Sequence, residues 1–338
     1  MSVKKFCATL ILVLLFNLTA DGSSKVITLH YPPDKSVVES DYVSVSLIIP
    51  EGFDGHVKVE VNKYETTKIL PGQFRCFRVA LDLGINTIDL LAESGGKSVD
   101  QISITVFRRS NIISRYRIPP PEFKMGFFHM QDHSECTGCH VLNPTEADRK
   151  PVNIRNLSGK SNNKMPGSSV STCYSCHKGI LSDKYVHGPV VVWSCLSCHD
   201  PDSDPRYSVK RPDSDMCDEC HLEQMKTWSS KKYVHGPVNL GKCTICHKPH
   251  GSEYPFYLLK QSWDLCVNCH ADSATGKHVI GDAFSTKGHP TRGYPDPLRK
   301  GEGLVCASCH NSHASNFPNL WEYEVESLFD LCQKCHNK

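Results

Sequence analysis

Sixteen of the 18 cysteines in this 338-residue chain stand in one arrangement, Cys-x-x-Cys-His. The runs are Cys136, Cys139, His140; Cys173, Cys176, His177; Cys195, Cys198, His199; Cys217, Cys220, His221; Cys243, Cys246, His247; Cys266, Cys269, His270; Cys306, Cys309, His310; and Cys332, Cys335, His336. That spacing is the attachment sequence of c-type haem. The two thiols add across the two vinyl groups of one porphyrin, so both must sit on one face of a single turn. The adjoining histidine then reaches the iron from the same side. A lone Cys-x-x-Cys also serves zinc or thiol redox chemistry. Eight copies, each followed by histidine, select haem.

What fills the other face of each iron separates an electron carrier from a catalyst. Of 18 histidines, eight belong to the runs, and His30 and His56 lie in an N-terminal segment without runs. Eight remain: His129, His133, His187, His235, His250, His278, His289 and His313. One spare histidine per iron makes a complete bis-histidine set. Met125, Met130, Met165, Met216 and Met225 are the fallback ligands. Methionine ligation raises the potential, so an all-histidine set implies low-potential haems. Spacing does not assign a spare histidine to a particular iron.

The runs recur inside a repeated frame. YVHGPVVVWSCLSCHDP from Tyr185 and YVHGPVNLGKCTICHKPH from Tyr233 are near copies, and Gly288-His289-Pro290 ahead of Cys306 is a looser third. SDMCDECH, WDLCVNCH and FDLCQKCH also match, with Asp215, Asp264 and Asp330 each two residues before a cysteine, where each is expected to cap a short helix. The eight runs therefore form four doublets, beginning at Cys136, Cys195, Cys243 and Cys306. The first departs from the frame, lacking HGP and the aspartate. The second has His199-Asp200-Pro201 where the third has His247-Lys248-Pro249-His250, so one histidine is missing from its usual place.

The elements that hold these sites differ along the chain. Residues 1–22 read as a secretory signal, with Lys4 and Lys5, an apolar run from Phe6 to Leu18, and the small-x-small site Ala20-Asp21-Gly22. After cleavage no spanning segment is expected. Residues 23–108 carry six short apolar or alternating segments, VITLHY, YVSVSLIIP, HVKVEVN, FRCFRVAL, NTIDLLAE and SVDQISITVF, separated by turn residues; they predict an all-β sandwich. Residues 109–128, with Arg109, Arg115, Arg117 and Pro119-Pro120-Pro121, predict a stiff Pro-rich linker. Residues 129–338 lack regular periodicity. About 26 residues per haem are too few for an ordinary apolar core, so short helices and loops wrapped around porphyrins are expected.

The formal charge of +2 gives no case for nucleic acid. From His129 onward 23 Lys and Arg balance 23 Asp and Glu. Propionates would make the loaded region acidic.

Two resemblances follow. The doublets resemble multihaem c-type cytochromes with doubled CxxCH motifs, which implies an octahaem domain over 129–338. The stretch from Pro71 to Ile88, with Gly84-Ile85-Asn86, resembles bacterial immunoglobulin-like domains, which close with such a G-x-N turn. The cytochrome resemblance implies an exported electron-transfer protein, periplasmic or on the cell surface, serving redox partner proteins of the cell envelope. Two alternatives stand beside it: a multihaem reductase of the nitrite, hydroxylamine or tetrathionate type, and a subunit of an extracellular electron conduit or filament that docks through the β domain; the sequence does not decide between docking and a plain spacer for that domain. Such reductases commonly mark the catalytic haem with a Cys-x-x-Cys-Lys run or a missing distal ligand; here Lys178 and Lys248 follow the run histidines without replacing them.

Overall fold

The computed structural model describes residues 25–130, 134, 137, 140–150, 171–278 and 288–336. The expected signal segment 1–22, together with His133, Cys136, Cys139 and Met165, lies outside them. The described residues form two compact units. One runs to residue 108 and takes in 119–126; the other is made of 109–118 and the chain from 127 onward.

The first unit is all-β. Its strands are β1 Thr28–Tyr31, β2 Ser36–Val38, β3 Tyr42–Ile49, β4 His56–Val61, β5 Tyr64–Ile69, β6 Gly72–Ala80, β7 Gly84–Ser94, β8 Lys97–Arg108 and β9 Lys124–Met125. One sheet has the order β1-β3-β6 and the other β5-β4-β7-β8-β2-β9. Alternation places Val43, Val45, Leu47 and Ile49 of β3 inward, where they meet Val57 and Val59 of β4 and Ile88 and Leu90 of β7 in one core drawn from both sheets. Each such side chain contributes roughly 1.5–3 kcal/mol by leaving water.

All six strands expected from apolar patterning are present as β1, β3, β4, β6, β7 and β8. Gly84 has φ 94°, and Asn86 behind it is fully buried. Its side chain donates to the Asp82 and Gly84 carbonyls at 2.8 and 3.0 Å and accepts from the Asp82 amide at 2.8 Å, closing the corner. Part of the expected Pro-rich linker belongs to this unit. Phe123 is buried with its ring 6.0 Å from Phe107, and β9 pairs in parallel with β2.

The second unit is built of short pieces. Its longest helix is Ser214–Ser229, and its strands are two-residue ladders: Tyr185–Val186 with Gly251–Ser252, Tyr233–Val234 with Ala314–Ser315, and Lys277–His278 with His289–Pro290. In the first two, the Tyr-Val strand of one doublet pairs with the segment after the first run of the next. The backbone N–H of His187 then donates to the His250 carbonyl at 3.0 Å, and that of His235 to His313 at 2.9 Å. Successive doublets are tied at their spare histidines. Among the described residues no helix is long and apolar enough to cross a membrane.

Candidate haem-binding sites

Each described run closes one helical turn. The amides of His177, His199, His247, His270, His310 and His336 donate to the carbonyl of the first cysteine of their own run at 2.9–3.0 Å. His221 stands inside the helix Ser214–Ser229 at a kink, with φ −100° and ψ 26°. The turn puts both thiols and the imidazole on one side, as attachment to a single porphyrin requires.

Seven of the eight run histidines face a spare histidine. The pairs are His177 with His129, His199 with His250, His221 with His187, His247 with His313, His270 with His235, His310 with His278 and His336 with His289; their ring centroids lie 5.7–6.2 Å apart. That separation has a chemical meaning. With metal–imidazole bonds of about 2.0–2.1 Å and a ring centre roughly 1.1 Å behind each nitrogen, one ion between two imidazoles sets the centroids about 6.3 Å apart. The eighth run histidine is His140, and the remaining spare histidine, His133, lies outside the described residues. Asp202 occupies the position three beyond His199 that His250 and His313 hold beyond His247 and His310.

The outer nitrogens decide the tautomer. Nδ1 of His199 bonds the Tyr207 carbonyl at 2.7 Å, that of His247 the Phe256 carbonyl at 2.8 Å, and that of His310 the Asn319 carbonyl at 2.6 Å. A carbonyl acceptor requires Nδ1 to carry the proton, which leaves the Nε2 lone pair facing inward. Between His199 and His250 the two Nε2 atoms stand 3.5 Å apart. With the run-histidine lone pairs turned toward the spare imidazoles, these residues fit an iron porphyrin held from both faces. Burial keeps several of them neutral. His250 is held down to about 4 by burial first and by His199 next, and His313 to about 4 by burial and then His247. His177, His187, His235 and His278 are lowered for the same leading reason.

The carbonyls that orient the run histidines come from a feature the sequence reading missed. Tyr207, Phe256 and Asn319 have φ 64°, 57° and 58°, a left-handed turn eight or nine residues past the histidine. The signal was present in two doublets as His-Gly/Ala-Ser followed by aromatic-Pro, at His250-Gly251-Ser252 with Tyr254-Pro255 and at His313-Ala314-Ser315 with Phe317-Pro318. Also missed were three buried aspartates. Asp148 accepts from the Ser171 hydroxyl at 2.7 Å, Asp213 from the Thr244 amide and hydroxyl at 2.7 Å, and Asp296 from the Ser308 hydroxyl at 2.6 Å. Each fastens a segment in or beside an attachment run. Of the expected capping aspartates only Asp330 caps, sharing reciprocal bonds with Ser327 at 2.9 and 3.2 Å. Asp215 and Asp264 lie in first turns whose helices have no side-chain cap.

Neighbouring sites follow chain order. The thiols of Cys173 and Cys195, of Cys217 and Cys243, and of Cys266 and Cys306 are within hydrogen-bonding reach, joining the end of one doublet to the start of the next. Inside doublets, Cys198 feels Cys220, Cys246 feels Cys269 and Cys309 feels Cys335.

The model of the doubled CXXCH motif matches residues 187–226, 235–275 and 296–338. The first two segments begin on the histidine of an HGP triplet. These are the second, third and fourth doublets, and they are consistent with a multihaem c-type cytochrome carrying covalent haem c. No curated protein matches the chain. Among solved structures, the chain is similar to fibronectin(III)-like modules of Clostridium thermocellum CbhA, at 14% identity over 24% of this chain and 94% of that one, with TM-score 0.21. It is also similar to an FMN-binding beta-glucuronidase from Facaelibacterium prausnitzii L2-6, at 17% identity over 30% of this chain and 14% of that one, with TM-score 0.22. At those scores neither bears on fold or function.

Proposed function

We propose that this chain is an electron carrier of the cell envelope holding eight covalent haems, each iron between two histidines and none open to substrate. The observation that carries the reading is the pairing of each described run histidine except His140 with one spare histidine across an iron-sized gap. Bound haem would supply one-electron redox chemistry. The chain's own work is to hold and shield it. The cysteines would hold the ring edge and the run histidine with its spare partner would ligate the iron, while the carbonyls of Tyr207, Phe256 and Asn319 keep the lone pairs of His199, His247 and His310 aimed inward. Contacts between cysteines of successive runs support a path in sequence order. Haem c attachment implies export, and the partners of such a carrier are redox proteins.

Intact mass of the exported protein should give eight haems; six or fewer would overturn the count. All irons should be low-spin in both oxidation states and bind carbon monoxide poorly when reduced. His235→Ala should open the His270 iron alone, so that about one-eighth of the haem takes up carbon monoxide. A full equivalent of high-spin haem in undamaged wild type, with turnover of nitrite, hydroxylamine or tetrathionate, would decide for a reductase.

A further inference from the structure

Six of the seven histidine pairs hold their rings 10–31° apart, whereas His289 and His336 cross at 89°. We infer that the last haem of the series, at His336, is bound between crossed imidazole planes and is electronically unlike the others. The inference rests on the bis-histidine reading above.

The local sequence explains why, among the described pairs, this one is turned. In the HGP units the histidine comes first and Gly-Pro then starts a helical turn, Gly188–Val191 or Gly236–Asn239, with the histidine at its N-cap. The ring's outer nitrogen reaches across to the next doublet, from His187 to the Pro249 carbonyl and from His235 to the Ser312 carbonyl at 2.9 Å. At the fourth doublet the order is Gly288-His289-Pro290. No helix follows directly, and the strand His289–Pro290 pairs instead with Lys277–His278. Nδ1 of His289 therefore bonds the carbonyl of its own neighbour, Pro290, at 2.9 Å. The outer hydrogen bond of an axial histidine fixes its ring orientation, so a different acceptor gives a different plane. The attachment side is ordinary: the His336 amide closes its turn on the Cys332 carbonyl at 2.9 Å, as in the other runs.

The electronic consequence is elementary. An imidazole donates π density perpendicular to its plane. Parallel rings raise the same iron d orbital and separate it from its partner; crossed rings raise both alike and leave them nearly degenerate. A ferric iron with near-degenerate orbitals retains orbital momentum, and its low-spin resonance spreads into one very anisotropic signal with a large maximum g value.

The test is quantitative electron paramagnetic resonance of the fully oxidised holoprotein. Wild type should show at least one haem equivalent of the large-g signal beside ordinary rhombic low-spin signals. His289→Ala, checked by intact mass for full haem content, should lose one equivalent of the large-g signal and gain one high-spin equivalent. His289→Met, which keeps a sixth ligand, should replace that equivalent with a histidine–methionine low-spin spectrum. His235→Ala should keep the large-g signal and lose one rhombic equivalent. Wild type with only rhombic signals would overturn the crossed pair while leaving bis-histidine ligation standing. So would a large-g signal that both His289 variants leave undiminished. High-spin iron in wild type would instead count against the ligation itself.

Discussion

In the β unit, Ile27, Val45, Leu47, Ile49, Val57, Val59, Ile88 and Leu90 have no exposed surface. From residue 127 onward, the buried apolar side chains among the described residues are Trp193, Trp263, Ala314 and Val325. They are accompanied there by buried Asp148, Ser171, Ser194, Asp213, Ser252, Thr291, Asp296, Ser308 and Ser315. One unit folds by removing hydrocarbon from water. The other is positioned by hydrogen bonds to carbonyls and carboxylates around paired histidines, and its own side chains supply too little apolar volume for a core. The same chain thus carries a unit with an apolar core of its own and a unit in which few of the described side chains are buried and apolar.

The sharpest way to break that contrast is to withhold haem. Made where haem is not attached, the chain should keep a cooperative β-sheet melt from its first unit, while the region from 129 onward gives the circular dichroism of an unfolded segment, as metal-dependent domains do without metal. A compact, cooperative apo form of 129–338 would refute it. A smaller effect tests the opposite side. Leu90→Ala removes a fully buried side chain shared by both sheets and should cost the β unit about 2–5 kcal/mol in denaturant melts. Haem absorbance should stay unchanged, because that side chain belongs to the self-sufficient core.

The contrast also explains what the sequence could reveal. Six strands were legible because alternation records a two-sided sheet directly. β5 was not: YETTKI lies on the edge with five of its six residues exposed, so it carries no apolar stripe. β2 is only three residues long and pairs in parallel with strands far along the chain. In the second unit, ligand identity was legible because thioether attachment demands a fixed local spacing. Ligand pairing was not, since His199 meets His250 and His247 meets His313 across whole doublets. The internal ladders make those pairings, and two-residue strands leave no periodicity. One replacement does show in the repeat. Trp193 stands where the next doublet has Gly241, and both adopt left-handed backbone, with φ 58° and 62°. A bulky aromatic is strained in that region. Its burial, edge-on to Tyr174 at 5.0 Å, accompanies that strain.

The smallest predicted effect sharpens the claim that buried carboxylates fasten the second unit. Burial alone would raise the Asp296 pKa, but the Ser308 hydroxyl, the Leu298 and Arg299 amides and the Arg299 charge outweigh it and hold the carboxyl below its ordinary value. The sign then follows. A carboxyl whose pKa is lower in the folded state contributes stability above its unfolded pKa and loses it as pH falls through the folded value. Asp296→Asn keeps one oxygen for the two amides, which are bonded at 2.9 and 3.2 Å, but removes the charge at every pH. The variant should be less stable than wild type by about 1–2 kcal/mol at neutral pH. The gap should close on acidification below the ordinary carboxylate range, where wild type carries a neutral group as well. Denaturant midpoints followed by haem absorbance at a series of pH values would measure it. Comparing wild type with variant at each pH cancels losses common to both, such as ligand histidines and propionates taking up protons. A gap that stayed constant down to low pH would mean that Asp296 acts through shape alone, and that charge has no part in fastening the segment around Ser308.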